Sequence, residues 1–142
     1  MKLELQSKLL SKFPVLLKNH YATAEEAETK IGPISIWGIE CGSGWYAILD
    51  AALSELSDLD SSITVVQIKE KLGGLRIYID CKDPETTRKA YKVLYNAEKL
   101  SYKVCESCGT SGLVREGSRI ATLCDDCMRK SKSVGHDVML HR

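Results

Sequence analysis

Apolar residues along this chain recur at helical spacing in three stretches and alternate with polar ones in others. Leu5, Leu9, Phe13 and Leu16 share one face, so residues 2–18 are predicted as an amphipathic helix that Pro14 ends or kinks. Residues 20–32 are polar, with Glu25, Glu26 and Glu28, and suit a loop or a short helix. Ile34, Ile36 and Gly38 alternate with Ser35 and Trp37, the pattern of a strand. Cys41-Gly42-Ser43-Gly44-Trp45 then turns the chain, with Ser43 as a candidate N-cap. Trp45, Ile48, Leu49, Ala52, Leu53 and Leu56 form the longest apolar stripe, which predicts a helix over 44–59.

Residues 63–69 and 75–80 read as two strands. Lys71-Leu72-Gly73-Gly74 between them tolerates positive φ and favours a hairpin. In the second strand Leu75, Ile77 and Ile79 face one side and Arg76, Tyr78 and Asp80 the other. Asp83-Pro84-Glu85 combines a capping side chain, a first-turn proline and an acid near the positive end of the helix dipole. The helix it starts should reach about residue 102 and bury Ala90, Val93, Leu94, Ala97 and Leu100. The predicted class is α+β: a small antiparallel sheet with packed helices, followed by a C-terminal cysteine module.

That module carries the strongest chemical signal. Cys105-x-x-Cys108 and Cys124-x-x-Cys127 are separated by fifteen residues, the length of a hairpin that brings two thiol pairs to one ion. Four thiolates suit one tetrahedral structural zinc, and such a closed site leaves no open position for substrate. Two disulfides, a redox pair or an iron–sulfur cluster are the competing readings. His136 and His141 are alternative ligands in the tail. Val114, Ile120 and Leu123 suit a short hairpin around Glu116-Gly117-Ser118, and a helix should start at the second pair. Knuckle, hairpin and ligand-bearing helix together describe a treble clef; a plain zinc ribbon is the close alternative. Residues 1–102 are thus expected as the α+β body, 103–135 as a zinc module docked on it, and 136–142 as a tail.

Bulk properties narrow the setting. A chain of 142 residues with 44% hydrophobic content supports one core with a small appendage. The opening residues lack an apolar secretory segment, no apolar run is long enough to cross a bilayer, and the two other cysteines, Cys41 and Cys81, lack disulfide-like spacing. A reducing cytoplasm, with no membrane partner, is the expectation. Residues 1–66 hold 5 Lys+Arg against 9 Asp+Glu, a net of −4; residues 67–142 hold 15 against 10, a net of +5. A zinc tetrathiolate contributes −2. The remaining bias permits contact with nucleic acid without demanding it.

Four further constellations invite chemistry. Glu40, Gly42, Gly44 and Trp45 lie in a turn whose amides, at a helix start, can meet an anion; Cys41 there is a candidate nucleophile, against a plain glycine turn with a buried thiol. Lys69, Lys71, Gly73, Gly74, Arg76 and Tyr78 form a charged hairpin that could cradle phosphate but lacks the parts of a Walker loop. On the helix from Pro84, Arg88, Lys92, Lys99 and Lys103 run beside Tyr95 and Tyr102, a basic and aromatic face that is either solvated or fit for nucleic acid. Lys103, Arg115, Arg119, Arg129, Lys130 and Lys132 surround the cysteines, as counter-charge, phosphate contacts or ordinary surface.

Three blocks in order, Gly38 to Trp45, Gln67 to Tyr78 and Ser101 to Cys127, resemble a family of small uncharacterised bacteriophage and prophage proteins. These pair a Gly-Trp turn and a KEKxGGLRxY hairpin with a C-terminal zinc ribbon. Two departures stand out: Cys127 where the family often has histidine, and Leu72 where it usually has phenylalanine. The resemblance implies a phage setting and a shared surface at the two glycine blocks. The leading expectation is a zinc-stabilised, non-enzymatic protein that contacts a host protein or nucleic acid. The alternative is a binder of a small phosphorylated, nucleotide-type ligand, used in counter-defence. An enzyme built on Cys41, or on Glu40 and Glu70, is the third.

Overall fold

The computed structural model describes residues 1–20 and 38–133. Residues 21–32 of the predicted loop and 34–37 of the predicted strand lie outside the described residues, as do His136, His141 and the rest of the tail; Gly38, the last position of that strand, lies in a bend. Helix α1 spans Leu3–Lys12, shorter than the periodicity predicts. It stops before Pro14, which cannot continue the ladder. Phe13, Leu16 and Leu17 are nevertheless buried in the turns that follow, and the Leu16 carbonyl accepts a hydrogen bond from Val65 N at 2.9 Å.

A 3₁₀ turn over Ser43–Trp45 leads into helix α2, Tyr46–Leu59. Ser43 does not cap it; its Oγ accepts from the Lys2 amide at 2.9 Å and so ties the chain start to this turn. Ile48, Leu49, Ala52, Leu53 and Leu56 are buried along the predicted stripe.

Strands β1, Thr64–Lys71, and β2, Gly74–Asp80, pair antiparallel. The register shifts at Val66, and Lys71 faces Gly74 across a two-residue turn. Leu72 and Gly73 both have positive φ, 53° and 85°, the type I′ combination that matches strand twist. Leu75 and Ile77 are buried while Tyr78 and Asp80 are exposed, as the alternation predicts. Glu40 adds a parallel bridge on the other edge of β1: its N–H donates to Ile68 O and its carbonyl accepts from Glu70 N.

Helix α3, Pro84–Ser101, begins at an Asp83 cap that accepts from Thr86 N at 2.9 Å. This bond holds the Asp83 carboxyl below its ordinary range. α3 packs against α2 and β2. Leu100, predicted in its buried stripe, is half exposed, and Ser101 is buried in its stead. The Ser101 hydroxyl accepts from Leu75 N and donates to Glu98 O, joining α3 to β2. The chain then enters a second, smaller core. Strands β3, Leu113–Arg115, and β4, Ala121–Leu123, form an antiparallel hairpin, and helix α4 spans Asp125–Ser133. Cys105, Ala121 and Leu123 are its buried centre. The fold is thus α+β with two small antiparallel sheets. Among the described residues no helix is long and apolar enough to cross a membrane.

Candidate metal centre and its seat

Two turns bring the four thiols together. In the first, Gly109 takes a φ of +87° and donates its amide to Cys105 O, closing the loop that carries Cys105 and Cys108. In the second, α4 starts between its two ligands, and the Cys127 amide donates to Cys124 Sγ at 3.4 Å. The four sulfurs lie within 4.8 Å of one another. Cys108 Sγ and Cys124 Sγ are 3.7 Å apart. A tetrahedron with metal–sulfur bonds of about 2.3 Å has an edge of about 3.8 Å. A disulfide requires about 2.05 Å, so the spacing excludes that bond and is one that could hold an ion. None of the six cysteines is in a disulfide. The amide bond from Cys127 draws the Cys124 thiol down to about 7, whereas burial pushes Cys127 up to about 12. Thiolates this close repel, and a bound cation is what lets all four ionise together.

The module sits on the body through the two glycine blocks. Gly42 N donates to Glu106 Oε2 at 2.7 Å, and Gly44 N donates to the Glu106 carbonyl at 2.8 Å. The Gly42 amide therefore meets a carboxyl from between Cys105 and Cys108, and the Gly44 amide meets the main-chain carbonyl of the same residue. A Cβ on Gly42 would fall on the Glu106 carbonyl, and one on Gly44 on the Cys105 carbonyl. Trp45 is fully buried, and its indole Nε1 donates to Val104 O at 2.8 Å. Cys41 beside it is fully buried too.

The hairpin forms the other half of the seat. Thr122 Oγ1 donates to Gly73 O at 2.6 Å, and the Thr122 carbonyl accepts from Glu106 N at 2.9 Å. Gly42, Glu106, Thr122 and Gly73 are thus linked in one hydrogen-bonded path. A Cβ on Gly74 would lie 2.5 Å from the Tyr102 hydroxyl. Glu70 is buried; Oε2 accepts from Gly73 N at 2.9 Å and Oε1 pairs with Arg119 at 3.2 Å. Arg76 pairs with Glu98 at 3.0 Å and reaches the Tyr102 hydroxyl at 3.4 Å. Burial and the Glu98 carboxylate raise the Tyr102 phenol.

The sequence-predicted positions are therefore engaged by the protein's own residues, some of the module and some of the body. Glu40, Gly42, Gly44 and Trp45 meet Ile68, Glu106 and Val104; Gly73, Gly74 and Arg76 meet Thr122, Tyr102 and Glu98. Lys69 and Tyr78 point elsewhere, with the Lys69 ammonium 5.8 Å above the tyrosine ring; Lys71 is exposed near the turn. Of the basic residues round the cysteines, Arg115 pairs with Asp125 and Arg129 with Asp126. The Arg115 partnership lowers the Asp125 carboxyl. Sequence reasoning missed Glu106 and Thr122, whose partners lie 64 and 49 positions away and leave no local signal. It also passed over Tyr91, which its spacing of four from Tyr95 could have marked. An apolar cavity of about 370 Å³ opens between α2, α3 and Gly109, lined by Ala47, Ala51, Val93, Ala97 and Leu100 among others. The chain matches no protein-family model, no curated protein and no solved structure.

Proposed function

We propose that this chain is a non-enzymatic binding protein stapled by one structural zinc, with Cys105, Cys108, Cys124 and Cys127 as ligands in a treble-clef arrangement. The observation that carries the reading is the four-sulfur cluster with tetrathiolate spacing, built from a knuckle, a hairpin and a helix start. All-thiolate donor sets of this shape suit zinc, and a closed site acts on folding rather than on substrate. The burial of Cys41 supports the non-enzymatic reading, because a nucleophile needs access.

The partner is a host protein or nucleic acid met in a reducing cytoplasm. A phage or prophage setting rests on the sequence resemblance alone. The nucleotide-type alternative is less favoured because Glu106 already holds the amides of Gly42 and Gly44.

The test is metal analysis of protein purified without added metal, followed by chelation. One zinc per chain, with loss of near-UV structure and of the hairpin amide protection on chelation, is expected. Protein that carries no zinc, or keeps its fold unchanged after complete removal, overturns the reading.

A further inference from the structure

One surface of the body meets the seat only at Arg76 and Glu98 and is otherwise used neither by it nor by the metal centre. Between β2 and α3 lies a groove of about 260 Å³ lined by Arg76, Tyr78, Tyr91, Leu94, Tyr95 and Glu98. Its three tyrosines are 41%, 58% and 61% exposed in chain order. Rings this open have little reason to be aromatic for packing alone. On a helix of 3.6 residues per turn, Tyr91 and Tyr95 share a face with Arg88, Lys92 and Lys99. The Lys99 ammonium stands 5.4 Å above the Tyr95 ring, and Lys69 stands above Tyr78 in the same way. Of the acids near it, Glu98 pairs with Arg76 and Glu85 with Arg88, and only Asp80, at the end of β2, is left to offset the lysines. Lys69, Lys92 and Lys99 are therefore left to give the groove a positive rim.

Two planar rings at successive turns of a helix and a third across the groove, with a cation over Tyr95 and another over Tyr78, match the requirements of a single strand of nucleic acid. Bases stack on the rings, and the lysines move the short distance from ring face to phosphate. Double-stranded nucleic acid hides its base faces and cannot use the rings in this way. We propose that the β2–α3 groove binds single-stranded nucleic acid, with Tyr91 and Tyr95 as the stacking platform, Tyr78 as a third ring, and Lys69, Lys92 and Lys99 as phosphate contacts. This rests on the reading of the chain as a binding protein and adds the partner class and the surface.

Fluorescence anisotropy of the full-length, zinc-loaded protein with labelled oligo-dT and oligo-rU of about 12 nucleotides tests it, at about 50 and 200 mM salt. The expected result is binding that weakens with salt and exceeds that for a duplex of equal length. Replacing both rings, Tyr91→Ala with Tyr95→Ala, should weaken it about a hundredfold, while Tyr→Phe at both positions keeps it. Lys92→Gln with Lys99→Gln should lower the log–log salt slope by about 1.4. Absence of binding, equal affinity for duplex, or indifference to the double alanine variant overturns the proposal. So does self-association that the alanine variant abolishes, since the groove would then seat a second copy. Zinc content and melting temperature are recorded on every sample. If both are normal while binding fails, the groove assignment falls and the zinc-stapled fold stands; absent zinc sinks the latter independently.

Discussion

The Glu106 carboxylate accepts the Gly42 amide hydrogen across 64 positions of chain, with Oε2 2.7 Å from the nitrogen. Glu106 is fully buried and stands between two of the cysteines. The metal site and the docking contact are therefore parts of one turn, and an ion that fixes the thiols also aims the carboxylate at the body. Glu106→Gln keeps the shape and an acceptor for the Gly42 amide, and should cost about 1 kcal/mol, the difference between a hydrogen bond to a charged group and one to a neutral group. Glu106→Ala should cost more, because it leaves the Gly42 amide without its acceptor. Urea unfolding of the zinc-loaded variants measures both; unchanged midpoints would show that the carboxylate does not hold the seam.

The glycines opposite it are required by space. A side chain at Gly44 would overlap the Cys105 carbonyl, and one at Gly42 the Glu106 carbonyl, backbone atoms that cannot swing aside. Gly44→Ala should therefore lift the module off the body. Amide hydrogen exchange at residues 105–112 should speed up while the α2 core remains protected. Uniform protection in the alanine variant would refute this.

Much of the architecture was legible because it is local. Helical periodicity located α2 and α3, the Lys71–Gly74 turn chemistry located the hairpin, and the cysteine spacing located the four-sulfur cluster. Pairings between distant segments were not. Gly42 and Gly44 carry the marks of an anion contact, and Gly42 makes one with a carboxyl while Gly44 meets that residue's carbonyl; nothing in the local pattern says that the partner is Glu106. Leu100 fits the apolar stripe of α3, yet Ser101 takes the buried place because its hydroxyl satisfies Leu75 N and Glu98 O together. Periodicity ranks residues by hydrophobicity and cannot see a hydrogen-bond demand from another strand.

Leu72 sits in the left-handed region at φ 53°, where a Cβ is unfavourable, and its side chain is 60% exposed. It contributes little burial to offset that strain. Leu72→Asn or Leu72→Gly should raise stability by about 0.5–1 kcal/mol, since type I′ turns favour those residues there. Thermal unfolding checks this. A lower melting temperature would mean that the leucine makes contacts worth more than its backbone cost.

His20 gives the protein an acid limit that owes nothing to the thiols. It is buried, and neither ring nitrogen has a hydrogen-bond partner among the described residues. Burial disfavours the charged ring and lowers its pKa from 6.5 to about 4. The neutral form is thus the folded form. Above about 6.5 both folded and unfolded chains hold neutral imidazole, and the full stability is present. As pH falls below 6.5 the unfolded chain takes up a proton that the folded chain resists, so stability drops until pH reaches about 4 and both are charged. The loss is at most about 3.5 kcal/mol at about 1.36 kcal/mol per pKa unit. Because acid also strips metal from thiolates, the measurement compares the chain with His20→Leu across this window at a matched, verified zinc content. The variant should have a flatter pH profile between 6.5 and 4, whatever its stability at neutral pH. Parallel profiles would place the acid sensitivity elsewhere.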